Sequence, residues 1–314
     1  MRAFERSIWV VCVLVLAAVV CRLAPMTQMR AVDAGDGIAR RIGIVRGETA
    51  AESAPVPAVT SASGTFEPQK QNEESREIRL SNKTDYAVDL TQLDAPVFSP
   101  GTGKKRVLIV HTHGSEAYTP DAEYPYMPTD TDRTDDCSRN VVAAGRALAA
   151  ILNARGITTL HDETLHDDPS YSGSYSRSLD TVERYLKEYP EIELVIDLHR
   201  DAFIYEDGTR LRCVCEVDGE KAAQIMLVVG TDAGGLSHPA WMDNLGVAAA
   251  LQKALESLNP GITRPIDLRE QRFNQHVSKG ALIVELGASG NTLGEALRSV
   301  PVLADAVANL LGEA

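Results

Sequence analysis

The chain has 314 residues, a formal net charge of −13 at pH 7 and five cysteines. Its isoelectric point near 5.0 argues against a nucleic-acid-binding function, because an acidic protein repels phosphate groups. Cys12 and Cys21 lie in an apolar N-terminal run, so the remaining cysteines are too few for a disulfide framework. Cys213 and Cys215 share one face of an alternating segment, which favours packing over a thiolate zinc site.

The N-terminal segment is expected to meet a membrane. Residues 8–21 are uninterruptedly apolar and follow Arg2 and Arg6. The run is shorter than the ~20 residues that span a bilayer, so a retained anchor extended past Arg22 and the core of a cleaved signal peptide are both open. We favour the anchor, because no small-x-small cleavage site follows at once. The preceding arginines place the rest of the chain outside the cytoplasmic membrane, which predicts a single-pass cell-membrane protein.

Composition divides the chain into three parts. Residues 1–25 form the cytoplasmic stub and transmembrane anchor. Residues 26–103, rich in Ala, Ser, Thr, Pro, Glu and Gln, are typical of a flexible extracytoplasmic linker. A short alternation over residues 86–93 is either a strand or an edge that packs on the domain. We expect a single folded domain, which covers residues 104–314.

The folded domain alternates predicted strands and helices. Predicted strands cover residues 106–111, 157–160, 194–198 and 281–286, and predicted helices cover 141–152, 178–189, 241–258 and 292 onward. Gly156 is expected to end the first helix. Residues 210–217 and 223–229 predict a hairpin around Asp218-Gly219, which suits a tight turn. Such alternation predicts an α/β fold with a mostly parallel central sheet and helices on both faces.

Histidines and carboxylates follow three of the predicted strands. The first ends in His111-Thr-His-Gly-Ser-Glu116, the central one in Asp197-Leu-His-Arg-Asp201, and the late one in Val284-Glu-Leu-Gly287. Ligands of an open α/β sheet gather at the carboxyl ends of its strands. Side chains from three strand ends could therefore converge on one catalytic zinc with an open position for water.

Each of these residues also has a structural explanation. A single histidine after an apolar run is usually a hydrogen-bonded structural residue. Glu285 is more informative, because a carboxylate in an apolar strand needs a proton, a metal or an arginine partner. Asp197 either orients a ligating histidine or caps a turn. The chain has no Gly-x-Ser-x-Gly elbow, no phosphate-binding loop and no His-Glu-x-x-His helix.

Motifs over residues 107–297 resemble the stage II sporulation protein P family and, more distantly, zinc N-acetylmuramoyl-L-alanine amidases. The motifs that carry the resemblance are His111-Thr-His-Gly-Ser-Glu-Ala-Tyr118, Asn140-Val-Val, Asp197-Leu-His-Arg-Asp-Ala202, Val229-Gly-Thr-Asp232, His238-Pro, Arg272-Phe-Asn-Gln-His276 and Glu285-Leu-Gly-Ala-Ser-Gly-Asn-Thr-Leu293.

The resemblance implies roles for individual residues. His111 and His199 occupy the positions of zinc-binding histidines, and Glu285 occupies that of the catalytic glutamate. The third amidase ligand is a glutamate at the entrance to the following helix, where this chain has none. Glu116 is the first choice for that ligand and Asp136 the second.

Further residues are expected to act on the substrate or the developing charge. Arg200 is expected to be catalytic, and the other candidates are His113, Arg272, His276 and Asn291. Arg200 and Arg272 are candidates for binding stem-peptide carboxylates or the oxyanion. The alternative is that each forms an ion pair at the protein surface. His113 and His276 are candidates for the metal or the substrate carboxylate, or else hydrogen-bonded loop histidines.

The resemblance further implies a membrane-anchored, zinc-dependent peptidoglycan hydrolase of sporulation and engulfment. Such an enzyme cuts the amide between N-acetylmuramic acid and L-alanine, and also peptide cross-links as an endopeptidase. A lytic transglycosylase and a membrane protein of the engulfment complex are the expected partners. The alternatives are a zinc peptidase with another peptide substrate, and a non-enzymatic, membrane-tethered peptidoglycan-binding scaffold.

Overall fold

The computed structural model describes residues 77–98, 106–129 and 132–312. The predicted anchor and most of the predicted linker lie outside these ranges. Within them, no helix is both long and apolar enough to cross a membrane.

The described chain alternates strands and helices, as its sequence predicts. The strands are β1 (Leu80–Asn82), β2 (Val107–Val110), β3 (Thr159–His161), β4 (Leu194–Asp201), β5 (Val214–Val217), β6 (Glu220–Ala223), β7 (Ile225–Gly230), β8 (Ile266–Arg269) and β9 (Ala281–Ala288). The helices are α1 (Val141–Ala154), α2 (Ser174–Glu188), α3 (Trp241–Leu258) and α4 (Leu293–Leu310), and short 3-10 turns cover Leu90–Gln92 and Gln275–Val277.

Local signals set the helix ends. The Asn140 side chain accepts a hydrogen bond from the Val142 N–H and begins α1. Gly156, with φ of 83°, follows the end of α1 as predicted. Thr292 and Glu295 form a reciprocal capping box that begins α4.

Seven strands form the central sheet, in the order β1-β8-β7-β9-β4-β2-β3. All described neighbours are parallel except β7 and β9, which are antiparallel. The predicted mostly parallel sheet is therefore confirmed. Strands β2, β4 and β9 run in the same direction, so their carboxyl ends meet at one edge of the sheet. We call this the catalytic edge.

Strand alternation divides the core between the two faces of the sheet. Ile109, Ile196 and Val284 pack with α1, α3 and α4. On the opposite face, Val110 and Val195 pack with Val182 of α2. Helices thus cover both faces, and each catalytic-edge side chain lies on the α1 face or the α2 face according to its place in the pleat.

The structure differs from the predicted elements at the hairpin, at β1 and at β8, which no predicted strand covers. The turn at Asp218-Gly219 is present, with φ of 52° and 80°, but its second strand is β6 rather than residues 223–229. β5 and β6 form a separate two-stranded sheet, and the apolar Ile225–Gly230 enters the central sheet as β7. In addition, β1 pairs with β8, so Leu80–Asn82 of the predicted linker form part of the central sheet.

Candidate active site

Two strands bring a histidine and a glutamate side by side at the catalytic edge. His199 of β4 is paired in register with Glu285 of β9. Val110, the last residue of β2, is paired with Asp197. The turn after β2 then carries His113 and Glu116 over the end of β4.

His199 is buried between two carboxylates. Its Nδ1 lies 3.2 Å from Glu116 Oε2, and its Nε2 lies 2.8 Å from Asp197 Oδ1. Burial opposes a charge on the ring, but Asp197 and Glu116 outweigh it and raise the pKa of His199 well above its usual range. The imidazole is therefore held in one orientation by opposite charges on both sides.

Buried hydrogen bonds fix Asp197 in turn. The Thr112 N–H donates to Oδ1 at 2.8 Å, and the Thr112 hydroxyl donates to Oδ2 at 2.6 Å. Ser178 of α2 lies 2.7 Å from the same hydroxyl, and Asn274 donates to Ser178 at 2.9 Å. Asp197 is thus held 2.8 Å from His199 Nε2, a position from which it could orient the ring.

Glu116 is supported from the opposite side. Burial alone would raise its pKa, but the Arg200 guanidinium and the hydrogen bond with His199 hold that pKa well below the usual range. Arg133 lies 3.4 Å from Glu116 and 2.6 Å from Asp167. Arg133 and Asp167 were missed by sequence reasoning, because no local pattern connects them with Glu116.

Glu285 faces the same site without a partner for one of its oxygens. Its Oε2 is buried and accepts no hydrogen bond from the described residues. Burial raises the pKa of Glu285 to about 8, and the nearby His199 only partly opposes this shift. A carboxyl group with a pKa near the working pH can both accept and return a proton.

His113 completes the cluster. Its ring stacks on Tyr171 with centroids 4.3 Å apart, and its edge contacts with Tyr175 and His199 have centroid distances of 5.5 Å and 5.4 Å. Burial lowers the pKa of His113 to about 4, so the ring is neutral. Nδ1 is buried and has no hydrogen-bond partner in the described chain.

These donors fit a zinc ion in type. The 3.2 Å between His199 Nδ1 and Glu116 Oε2 is close to the separation of two ligands that each lie about 2 Å from a tetrahedral zinc. Asp197 on the other ring nitrogen is the usual outer partner of a metal-bound histidine. No three such side chains are already grouped to hold a metal within the ranges that the structure describes, so His113 would have to move toward the other two.

His111, predicted as a zinc ligand, lies on the α1 face, away from this cluster. Its Nδ1 is 2.9 Å from the Leu198 carbonyl oxygen, and its Nε2 is 2.8 Å from His161 Nε2. A Cβ on Gly145 of α1 would lie 2.6 Å from His111 Nε2. Burial and His161 lower the pKa of His111 to about 3. The structure therefore does not bring His111 and His199 together. His111 lies beside Leu198, and the next residue of β4, His199, points to the opposite face of the sheet.

Arg200, predicted as catalytic, forms hydrogen bonds with backbone carbonyl groups of the protein. Its Nε donates to the Ala117 carbonyl oxygen at 2.7 Å and its guanidinium also bonds the Asp132 carbonyl oxygen at 3.1 Å. Arg200 is buried, and the register of β4 against β9 shifts at this position. These contacts hold the loop that carries Glu116 against the end of β4.

The remaining predicted residues lie apart from the catalytic edge. Asp136, the second choice for the third ligand, is exposed and accepts hydrogen bonds from Ser138 at 2.9 Å and 2.6 Å. Arg272 and His276 lie in and after the loop that follows β8, near His238. Of the predicted candidates, only Glu116, His113, His199 and Glu285 come together.

Asn291, predicted to bind substrate, has a saturated side chain. Its Oδ1 accepts from the N–H groups of Cys213 and Ala288 at 3.1 Å and 2.9 Å. Its Nδ2 donates to the Cys213 carbonyl oxygen and to Glu295, both at 2.9 Å. The residue is fully buried. Its role is to join the β5 segment, the end of β9 and the start of α4.

Asn291→Ala is expected to lower the free energy of unfolding by about 3 kcal/mol, because it leaves buried backbone groups without partners. Chemical denaturation measures this loss. The exposed Asn309→Ala should change stability by less than about 0.5 kcal/mol. A stable Asn291→Ala protein with impaired substrate binding would restore the original assignment.

The comparisons with known proteins agree with the sequence motifs. A sequence model of the stage II sporulation protein P family matches residues 42–308. Stage II sporulation protein P of Bacillus subtilis (strain 168) is 27% identical over 260 residues, or 79% of this chain and 61% of that protein. The chain thus spans less than two thirds of the length of this curated relative.

Solved structures with similarity to the chain include two N-acetylmuramoyl-L-alanine amidases. The amidase of Nostoc punctiforme is 13% identical with a TM-score of 0.40, covering 68% of this chain and 99% of that one. The amidase of Clostridium difficile 630 is also 13% identical with a TM-score of 0.38, covering 67% and 98%. The family match covers well over half of the sequence, and the chain therefore belongs to the stage II sporulation protein P family.

Proposed function

We propose that the chain is a zinc-dependent peptidoglycan hydrolase that cuts the amide between N-acetylmuramic acid and L-alanine. The observation that carries this proposal is the pairing of an oriented His199 with Glu285, whose Oε2 is buried and unpartnered. Family membership supports a role in sporulation. The similar solved amidases are named for this same bond, although their likeness to the chain is limited to the fold.

Zinc would be held by His113, Glu116 and His199, with Asp197 behind His199. This set replaces His111 with His113 and keeps Glu116 as the third ligand. When bound, zinc would lower the pKa of its water and polarise the scissile carbonyl.

The residues of the chain would divide the remaining work. Asp197, itself fixed by Thr112, keeps the His199 ring from turning. Glu285 would take the proton of the attacking water and return it to the leaving amine, for which a pKa near neutrality is suited. Arg133 and Arg200 stabilise ionised Glu116.

The membrane anchor, the extracytoplasmic location and the second activity are also proposals. The apolar residues 8–21 would tether the domain at the outer surface of the membrane. There it would act with a lytic transglycosylase and a membrane protein of the engulfment complex. The products released from sacculi distinguish cleavage of the amide alone from cleavage of the peptide cross-links as well.

Digestion of purified sacculi tests the proposal. We expect the full chain with equimolar zinc to release stem peptides with a free L-alanine amino terminus, identified by mass spectrometry. Endopeptidase activity would also yield disaccharide peptides separated at their cross-links. Release of neither product while sacculus binding persists would favour the scaffold. Cleavage of unrelated peptides with intact sacculi would favour the other zinc peptidase.

A further inference from the structure

A second cluster of polar side chains lies outside the catalytic edge. His238, in the loop between β7 and α3, is fully buried. Both of its ring nitrogens lack a hydrogen-bond partner among the described residues, as do the buried Nε of Arg272 and the buried Nδ1 of His276. Buried polar atoms without partners are rare in folded proteins and call for a missing water, ion or ligand.

Arg272 places one permanent positive charge in this cluster, and the two histidines are held neutral. Burial lowers the pKa of His238 to about 4, and both His276 and Arg272 contribute to the shift. The nearest acids that act on these histidines are Asp232 and Glu183. Neither forms an ion pair with Arg272 in the described chain, where the Arg272 guanidinium donates to the Ser237 carbonyl oxygen at 3.3 Å. The permanent positive charge of Arg272 disfavours binding of a metal ion in this cluster and favours binding of an anion.

The loop that carries Arg272 is rigidly held. A Cβ on Gly230 would clash with the Gln271 carbonyl oxygen, so the loop packs directly on the end of β7. The Gln275 side chain accepts from the Gly230 N–H at 2.6 Å and donates to the Val228 carbonyl oxygen at 2.7 Å. Phe273 has φ of 52°, a left-handed conformation that few such residues adopt. Backbone strain of this kind is concentrated at functional positions.

An aromatic connection links this loop to the catalytic edge. The Phe273 ring lies 5.8 Å from that of Tyr175, and Tyr175 lies 5.5 Å from His113. β7 is antiparallel to β9 and parallel to β8, so the loops that carry these three residues leave the sheet at the edge opposite the catalytic edge. A ligand that touches both places must therefore be extended and must carry an anionic group at a distance from the reacting bond.

We propose that His238, Arg272 and His276 form a second substrate site that binds a carboxylate of the stem peptide. This inference rests on the proposed function, since it assumes a peptidoglycan substrate. The guanidinium donates the paired hydrogen bonds that suit a carboxylate, and the two imidazoles contribute their unpartnered nitrogens. The site would hold the peptide by its charged end while the amide is cut between His199 and Glu285.

Equilibrium binding to soluble disaccharide peptides tests this site. The full chain with Glu285→Gln, which prevents turnover, should bind the peptide with free carboxylates about tenfold more tightly than the same peptide with amidated carboxyls. Arg272→Gln should abolish this preference. Arg272→Lys, which keeps the charge, should retain part of it, and Lys253→Gln on the surface of α3 should retain all of it.

Several outcomes would overturn the site. Equal affinity for the two peptides, or a preference that survives Arg272→Gln in a folded protein, rules it out. If inorganic phosphate binds through Arg272 while the peptides show no preference, the carboxylate assignment fails. Carboxylate-dependent binding without hydrolysis of sacculi by the wild-type chain would instead reject the proposed function and leave the second site intact.

Discussion

Replacing Glu285 with glutamine is expected to lower kcat/KM for sacculus hydrolysis by roughly 10²–10⁴-fold, the usual contribution of a positioned general base. Glutamine has nearly the same shape, so the packing between β4 and β9 should persist. It cannot take a proton from water. Release of stem peptides over time, measured by chromatography, checks the loss.

The same variant should be more stable than the wild type at alkaline pH. Burial raises the pKa of Glu285 from 4.5 to about 8, so the folded state binds an extra proton between these values. The free energy of unfolding of the wild type therefore falls as the pH rises from about 4.5 to about 8. Glutamine removes this dependence, which predicts a gain on the order of a few kcal/mol at pH 8 and little change at pH 4.

Thermal unfolding in the presence of a chelator measures this gain, and exposed Glu220→Gln is the matched control. Glu220→Gln should leave both activity and melting temperature close to those of the wild type. A Glu285→Gln protein that unfolds earlier than the wild type at pH 8 would show that the carboxylate is compensated by a partner. An active one would remove Glu285 from the chemistry.

Replacing His113 with glutamine is expected to lower the zinc content of the protein, whereas replacing His111 with glutamine is expected to leave it unchanged. His113→Gln should lower zinc affinity by roughly a hundredfold or more and abolish hydrolysis, because it removes one of the protein ligands of a catalytic site. His111→Gln should retain zinc, because that ring faces α1 and bonds the Leu198 carbonyl oxygen. Metal analysis after dialysis separates the two variants.

The His111 variant has its own expected defect. His111→Gln can still donate to the Leu198 carbonyl oxygen, whereas His111→Ala leaves that buried acceptor unpaired and should unfold at a lower denaturant concentration. Loss of zinc in folded His111→Gln together with its retention in His113→Gln would restore His111 as the ligand. It would also show that His111, and not His113, lies on the same face of the sheet as His199.

Sequence by itself determined the architecture and the edge at which the chemistry lies. Apolar runs and helix caps placed most elements, including Trp241–Leu258 without error. The parallel strands then put His199 and Glu285 on one edge. These features are local or follow from the direction of the strands, so they can be recognised without coordinates.

Tertiary structure alone decided which side chains meet there. The turn after Val110 carries His113 to the α2 face, whereas His111 remains on the α1 face beside Gly145. Arg133 and Asp167 support Glu116 from distant parts of the chain. The Asn291 side chain bonds backbone groups of the fold instead of facing the site. A residue's type and spacing fix the chemistry that it offers, but its direction depends on the pleat, the turn and the long-range hydrogen bonds that only the folded chain provides.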